Sequence, residues 1–261
     1  MKKRIIPSIL LKGGTQVTIS QGFSPWRSVG ALAQNLRLHV HRAADELLII
    51  NLDNAGAKNF LLPERILRLV RQEVDIPIAY AGGIRTKRDA SVCIHSGFDK
   101  AYVTATFLDH PENLREIADV VGMQSLGLIL PYKRTTVDYS AYIWDYLTRS
   151  RTSYCLRQAV RDGILHGAGE IVLYDVVRDG SLAGFDPMIY KDLEELNPSV
   201  PILIAGGSGD PAHIAQALKC DWIQGVIAGS IFALTQETPS TIRHYCEDKG
   251  LSMRRYSGFS S

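Results

Sequence analysis

No apolar run in this 261-residue chain is longer than a strand, so the sequence offers nothing that spans a bilayer. Met1 to Arg4 leads directly into strand-like IIPSILL, without the hydrophobic region and cleavage site of an export signal. Cys93, Cys155, Cys220 and Cys246 are too widely spaced for a metal or disulfide pattern, and the histidines show no ligand spacing. No metal and no cofactor are therefore expected, and a reducing cytoplasm is the expected location. Excess charge is missing too: a net +2 gives no reason to expect nucleic acid or an anionic membrane as partner.

Apolar residues, in contrast, make up 46% of the chain, enough for one large core. Glycine turns recur within it. Val200 to Phe232 reads as a strand stopped by Gly206-Gly207, a helix, and a second strand stopped by Gly229-Ser230. Strands apolar at nearly every position are buried on both faces, which points to parallel strands joined by helices. Pro77, Gly82 and Gly83 recur as Pro201, Gly206 and Gly207, each 124 positions on, and Glu46 to Gly56 recurs as Glu170 to Gly180 at the same displacement. Two segments sharing one displacement imply a chain of two homologous halves.

Strands are predicted at 5–11, 47–52, 76–81, 101–105, 125–130, 171–176, 202–205 and 223–228, with helical spacing between them. Two connections depart from that rhythm. A glycine-containing loop, Gly13 to Ser24, precedes a helix expected from Ser24-Pro25 to about Ala44. Tyr132 to Thr152 reads as an excursion, a hairpin whose Trp144 and tyrosines either cover the substrate mouth or pack against the rim. The expected fold is a single α/β domain over residues 1–253, a (β/α)8 TIM barrel built from two half-barrels, followed by a polar tail at 254–261.

In such a barrel the chemistry sits at the C-terminal ends of the strands. Glycine turns there let a backbone approach a ligand, and helix N-termini behind them suit an anion. Turns after the third and seventh strands, on opposite sides of the ring, would suit a substrate with a phosphate at each end; Asp179-Gly180 and Gly229-Ser230 would complete the second pocket. The plain alternative is that these glycines only tighten the turns. At the opposite mouth Arg4, Glu46, Lys100 and Glu170 each start an inner strand, and their alternating signs suggest a salt-bridged plug, either a stability device or a gate.

The motifs KRII (3–6), DEL (45–47), GGI (82–84), DK (99–100), GAGEI (167–171), RDG (178–180) and AGG (205–207) together resemble the cyclase subunit family (HisF) of imidazole glycerol phosphate synthase over almost the whole chain. The resemblance implies a two-fold repeated barrel that takes ammonia from a glutaminase (HisH-like) docked on its floor, as a heterodimer. It implies a gate of Arg4, Glu46, Lys100 and Glu170, with Asp99 facing the partner. It also implies phosphate contacts at Gly83 and Thr104 on one side, and at Asp179, Gly180, Gly207, Gly229 and Ser230 on the other.

The departures concern the chemistry. The family's two catalytic Asp positions are Leu10 and Pro131 here, and neither side chain moves a proton. The first-loop Lys position is Thr18, the strand-two Asp is Asn51, and the Asn-Thr pair of the first phosphate site is Thr104-Ala105. Ile9 to Lys12 resembles the LLLK-type first strand of paralogues found with glutaminases in surface-polysaccharide (lipopolysaccharide, O-antigen) biosynthesis. The expectation is an ammonia-using synthase subunit with a phosphorylated or nucleotide-sugar acceptor, Lys12 and Asp175 being candidates for replacement chemistry. Strand alternation with inward Glu170 favours Tyr174 over Asp175 as the inward residue. Two alternatives stand: the histidine-pathway cyclase, a lyase, and a non-catalytic glutaminase scaffold or phosphometabolite sensor.

Overall fold

The computed structural model describes residues 2–22, 25–57 and 59–254. In chain order its strands are β1 (Arg4–Lys12), β2 (Gln16–Ser20), β3 (Trp26–Ala31), β4 (Leu47–Asn51), β5 (Ile78–Ala81) and β6 (Lys100–Val103). Then come β7 (Leu126–Arg134), β8 (Ala141–Asp145), β9 (Ser150–Cys155), β10 (Glu170–Asp175), β11 (Ile202–Ala205) and β12 (Ile223–Ala228). Eight of these, β1, β4, β5, β6, β7, β10, β11 and β12, pair in parallel in that order, and β12 returns to β1. The result is a closed (β/α)8 barrel. The tail at 255–261, and Ser24, lie outside the described residues.

The barrel forms because successive side chains on a strand face opposite ways. Outward residues such as Ile5, Ile9, Ile49 and Leu173 join the layer packed under the helices. Inward residues such as Ile6, Leu48, Ile129, Val172 and Leu203 make a second, smaller cluster inside the bore. The helix Glu64–Glu73 shows how the outer layer is secured: Ile66, Leu67 and Val70 are buried at helical spacing, each contributing about 1.5–3 kcal/mol. Below the floor the Arg243 guanidinium donates to Asp45 at 2.7 Å, and Asp45 also accepts from the Ile5 amide at 3.0 Å. The helix Pro239–Asp248 is thereby pinned to the first strands.

The connection after β1 corrects the sequence expectation. The helix does not start at Pro25; Gln16–Ser20 and Trp26–Ala31 pair as an antiparallel hairpin, and the helix occupies only Leu32–His41. Gly13 and Gly14, at φ +66° and +84°, reverse the chain, and the alternating Val17 and Ile19 continue it as a strand. Helical spacing among Val29, Leu32 and Leu36 had concealed this, since Val29 belongs to β3. The expected hairpin after the fifth barrel strand is present as β8 and β9. Short helices, Ala105–Asp109 and Ser230–Leu234, also follow β6 and β12 where none was expected.

The two halves share backbone detail. The residues preceding those short helices, Thr104 and Gly229, have φ/ψ of −143°/−64° and −127°/−65°. Asn51 accepts the Asp53 amide at 3.0 Å, and Asp175, its counterpart, accepts the Val177 amide at 2.9 Å. The hairpins cross between halves: β2 from the first half supplies Thr18 and Ser20 to the pocket at the second half's turns. The β8–β9 turn of the second half brings Tyr146 and Leu147 over the first half's pocket.

Candidate functional site

Arg4, Glu46, Lys100 and Glu170 converge at the floor because each occupies an inward position at a strand start. Arg4 Nη1 donates to Glu46 at 2.9 Å and Nη2 to Glu170. The Lys100 ammonium lies 2.8 Å from Glu170 and 3.5 Å from Glu46. Three of the four are almost wholly shielded, and Lys100 keeps slight exposure towards the outside. Burial alone would raise Glu170, but Arg4 and Lys100 hold it below its ordinary value. The four groups close a ring of ion pairs. Asp99 lies on the same floor, exposed, its carboxylate accepting the Ile78 amide at 2.8 Å.

Above the ring stands a residue that the sequence reading missed. Tyr102, two residues after Lys100 and so on the same face of β6, is 2% exposed and donates its hydroxyl to Glu170. Gly127 makes the space, since a Cβ there would lie 2.2 Å from the Tyr102 ring. Burial and the neighbouring Glu170 push the phenol far above its ordinary pKa, so it remains a donor. Period-two alternation from Lys100 was the available signal. From Tyr102 upward the bore is lined by apolar side chains, and Trp144 packs against them from the hairpin while Lys133 stacks on its ring at 3.5 Å.

Two of the pockets at the rim lie at the glycine turns. The one at the second half's turns, about 50 Å³, is lined by Ser8, Thr18, Ser20, Ser208 and Ser230 beside Gly180, Gly207 and Gly229. Gly207 has φ +109°, and a Cβ there would lie 2.2 Å from the Gly184 carbonyl oxygen, so no other residue fits. Asp179 borders the pocket but faces the hairpin: its carboxylate accepts the Gly22 amide at 2.9 Å and takes a hydrogen bond from Tyr174. As an acceptor it has nothing to donate to an anion; its place is to hold the hairpin wall. His39 also lines this pocket, 5% exposed, with no hydrogen-bond partner on Nδ1; burial, aided by Arg42, lowers it to about 4.

The pocket at the first half's turns, about 90 Å³, includes Gly83 and Thr104, yet most of its wall is alkyl: Ile50, Leu52, Ile84, Ile129, Pro131 and Leu147. The Thr104 hydroxyl is already donated to the Ile129 carbonyl at 2.9 Å.

Leu10 borders the first of these pockets and Pro131 the second, so the positions of the family's acids do reach the rim, carrying groups without protons to exchange. Neither replacement candidate lines them. Lys12 is paired with Asp53 at 3.2 Å, and Asp53 also accepts the Gly13 and Gly14 amides. Asp175 faces away from the bore, capping its own turn through the Val177 and Arg178 amides; burial raises its pKa. Tyr174 is the inward residue. No group of His, Cys, Asp and Glu among the described residues could hold a metal ion, and no described helix is long and apolar enough to cross a membrane.

A closed eight-stranded parallel barrel with helices between its strands belongs to the class of (β/α)8 barrels. Within that class, the sequence profile of the histidine biosynthesis protein family matches residues 4–238, and the chain belongs to that family.

Proposed function

We propose that this barrel is the acceptor subunit of a glutamine-dependent amidotransferase complex, taking ammonia from a glutaminase bound at its floor and a phosphorylated acceptor at its rim. The observation that carries the reading is the floor ring. Four charged groups drawn together inside a barrel mouth carry a large desolvation cost that apolar packing would avoid, so a plain stability device is a poor account of them. Family membership supports a glutaminase partner, for which Asp99 stands on the exposed floor. The serine- and glycine-lined pocket supports a phosphate. Leu10 and Pro131 argue against cyclisation in the histidine pathway, and the LLLK-type first strand favours an acceptor of surface-polysaccharide type, such as a nucleotide sugar.

A second reading, a scaffold that docks and activates a glutaminase without chemistry of its own, is favoured by Tyr102, which fills the bore above the ring. Amide-labelled 15N-glutamine given to the complex separates the two. Label in an organic product supports the synthase, whereas label recovered only as free ammonia supports the scaffold.

A further inference from the structure

We propose that the two rim pockets bind different chemistry: phosphate at the second half's turns, and an uncharged, mainly apolar group of the same ligand at the first half's turns. The inference rests on the phosphate reading of the serine-lined pocket given above, and deepens it by naming what lies at the other end of the acceptor.

The internal repeat supplies the comparison. Gly82-Gly83-Ile84 and Gly206-Gly207-Ser208 occupy equivalent turns, and the two short rim helices begin with Ala105 and Ser230. The first glycine of each turn makes the same close approach: a Cβ on Gly82 would lie 2.4 Å from the Asn51 carbonyl oxygen, and one on Gly206 equally 2.4 Å from that of Asp175. At the two turn positions where the phosphate pocket presents Ser208 and Ser230, the other pocket presents alkyl carbon, Ile84 and Ala105. The Thr104 hydroxyl is spent on the Ile129 carbonyl. Desolvating a phosphate against such walls is costly, whereas desolvating an alkyl group is favourable.

One cation does border this pocket. Arg85 directs Nη1 towards Asp109 at 3.9 Å, while its Nε is buried without a hydrogen-bond partner. Its Nε can donate to one acceptor oxygen. Tyr146 and Leu147, delivered by the β8–β9 turn, add further carbon to its wall.

The test uses the full-length chain with isoleucine methyl groups labelled with 13C, and two probes, inorganic phosphate and cyclohexanone, a neutral ring with one carbonyl. Ile9, Ile19 and Ile227 report on the phosphate pocket, and Ile50 and Ile129 on the other. Phosphate should bind once per chain and shift only the first set; cyclohexanone should shift only the second. The pair Ile84→Ser with Ala105→Ser should create a second phosphate site and weaken cyclohexanone at least about tenfold. Phosphate reaching Ile50 and Ile129 in the unaltered chain, through Arg85, overturns the inference and leaves the phosphate pocket standing; so does a failure of cyclohexanone to bind. Absence of phosphate shifts at Ile9, Ile19 and Ile227 overturns the phosphate reading itself, and with it the proposed division of the ligand.

Discussion

Tyr102 and Lys100 donate to the same oxygen of Glu170, so the plug of the bore and the charged ring at the floor are one hydrogen-bonded unit. The space beside Gly127 is filled by the Tyr102 ring, above the charged groups.

Replacing Tyr102 therefore discriminates between capping and bonding. Tyr102→Phe removes one hydrogen bond to a charged group and should lower stability by about 1.5–3 kcal/mol, read by urea unfolding, while the bore stays filled. Tyr102→Ala empties the bore, costs more, about 3–5 kcal/mol, and in the complex should raise the share of glutamine nitrogen reaching the rim. An unchanged share would show that the aromatic cap is no barrier.

Glu170→Ala leaves Arg4 and Lys100 sharing Glu46 as the one carboxylate of the ring. A loss of about 3–5 kcal/mol is expected, visible as a lower midpoint in urea, and a loss under about 1 kcal/mol would mean that the ring is solvated like a surface pair.

Gly207→Ala forces a methyl group against the Gly184 carbonyl at a φ of +109°. Inorganic phosphate binding should be lost, with stability reduced by at least about 1 kcal/mol. Retention of phosphate affinity would place the anion elsewhere.

His39 gives the pH dependence. Its pKa falls from the ordinary 6.5 to about 4 on folding, chiefly through burial and secondarily through Arg42. The unfolded chain then binds the proton more readily, so this contribution is complete above pH 6.5 and drains away as the pH falls from 6.5 to 4. It amounts to about 3 kcal/mol. Urea midpoints measured across this window should decline in the unaltered protein and decline less in His39→Gln.

Restoring the lost acids tests the chemistry. The unaltered chain should fail to complement a strain lacking the histidine-pathway cyclase; Leu10→Asp combined with Pro131→Asp should recover partial growth if the rim otherwise accepts that substrate. Complementation by the unaltered chain would return it to the histidine pathway.

The barrel was legible in the sequence because buried parallel strands are apolar at nearly every position and because two segments recur at one displacement. The floor ring was legible for a related reason: Arg4, Glu46, Lys100 and Glu170 each precede an apolar run. What alternation decided, it decided well, since Tyr174 faces in and Asp175 out. The hairpin after β1 stayed hidden because Val29 falls in register with the helix that follows it. Tyr102 was overlooked because an aromatic in a strand looks like ordinary core; alternation from Lys100 gives its face, and Gly127 on the neighbouring strand gives the room for its ring. The alkyl character of the first half's pocket needed coordinates, since whether Thr104 has a hydroxyl to spare depends on the Ile129 carbonyl beside it.

The crossed hairpins carry a consequence for how such a molecule came to be and how it can be divided. Each half owns a glycine cradle but borrows its outer wall from its sibling, through Thr18 and Ser20 in one direction and Tyr146 and Leu147 in the other. A fragment cut near Gly122 would thus carry neither binding place intact, and two fragments mixed in solution should regain ligand affinity only when they reassemble as a pair.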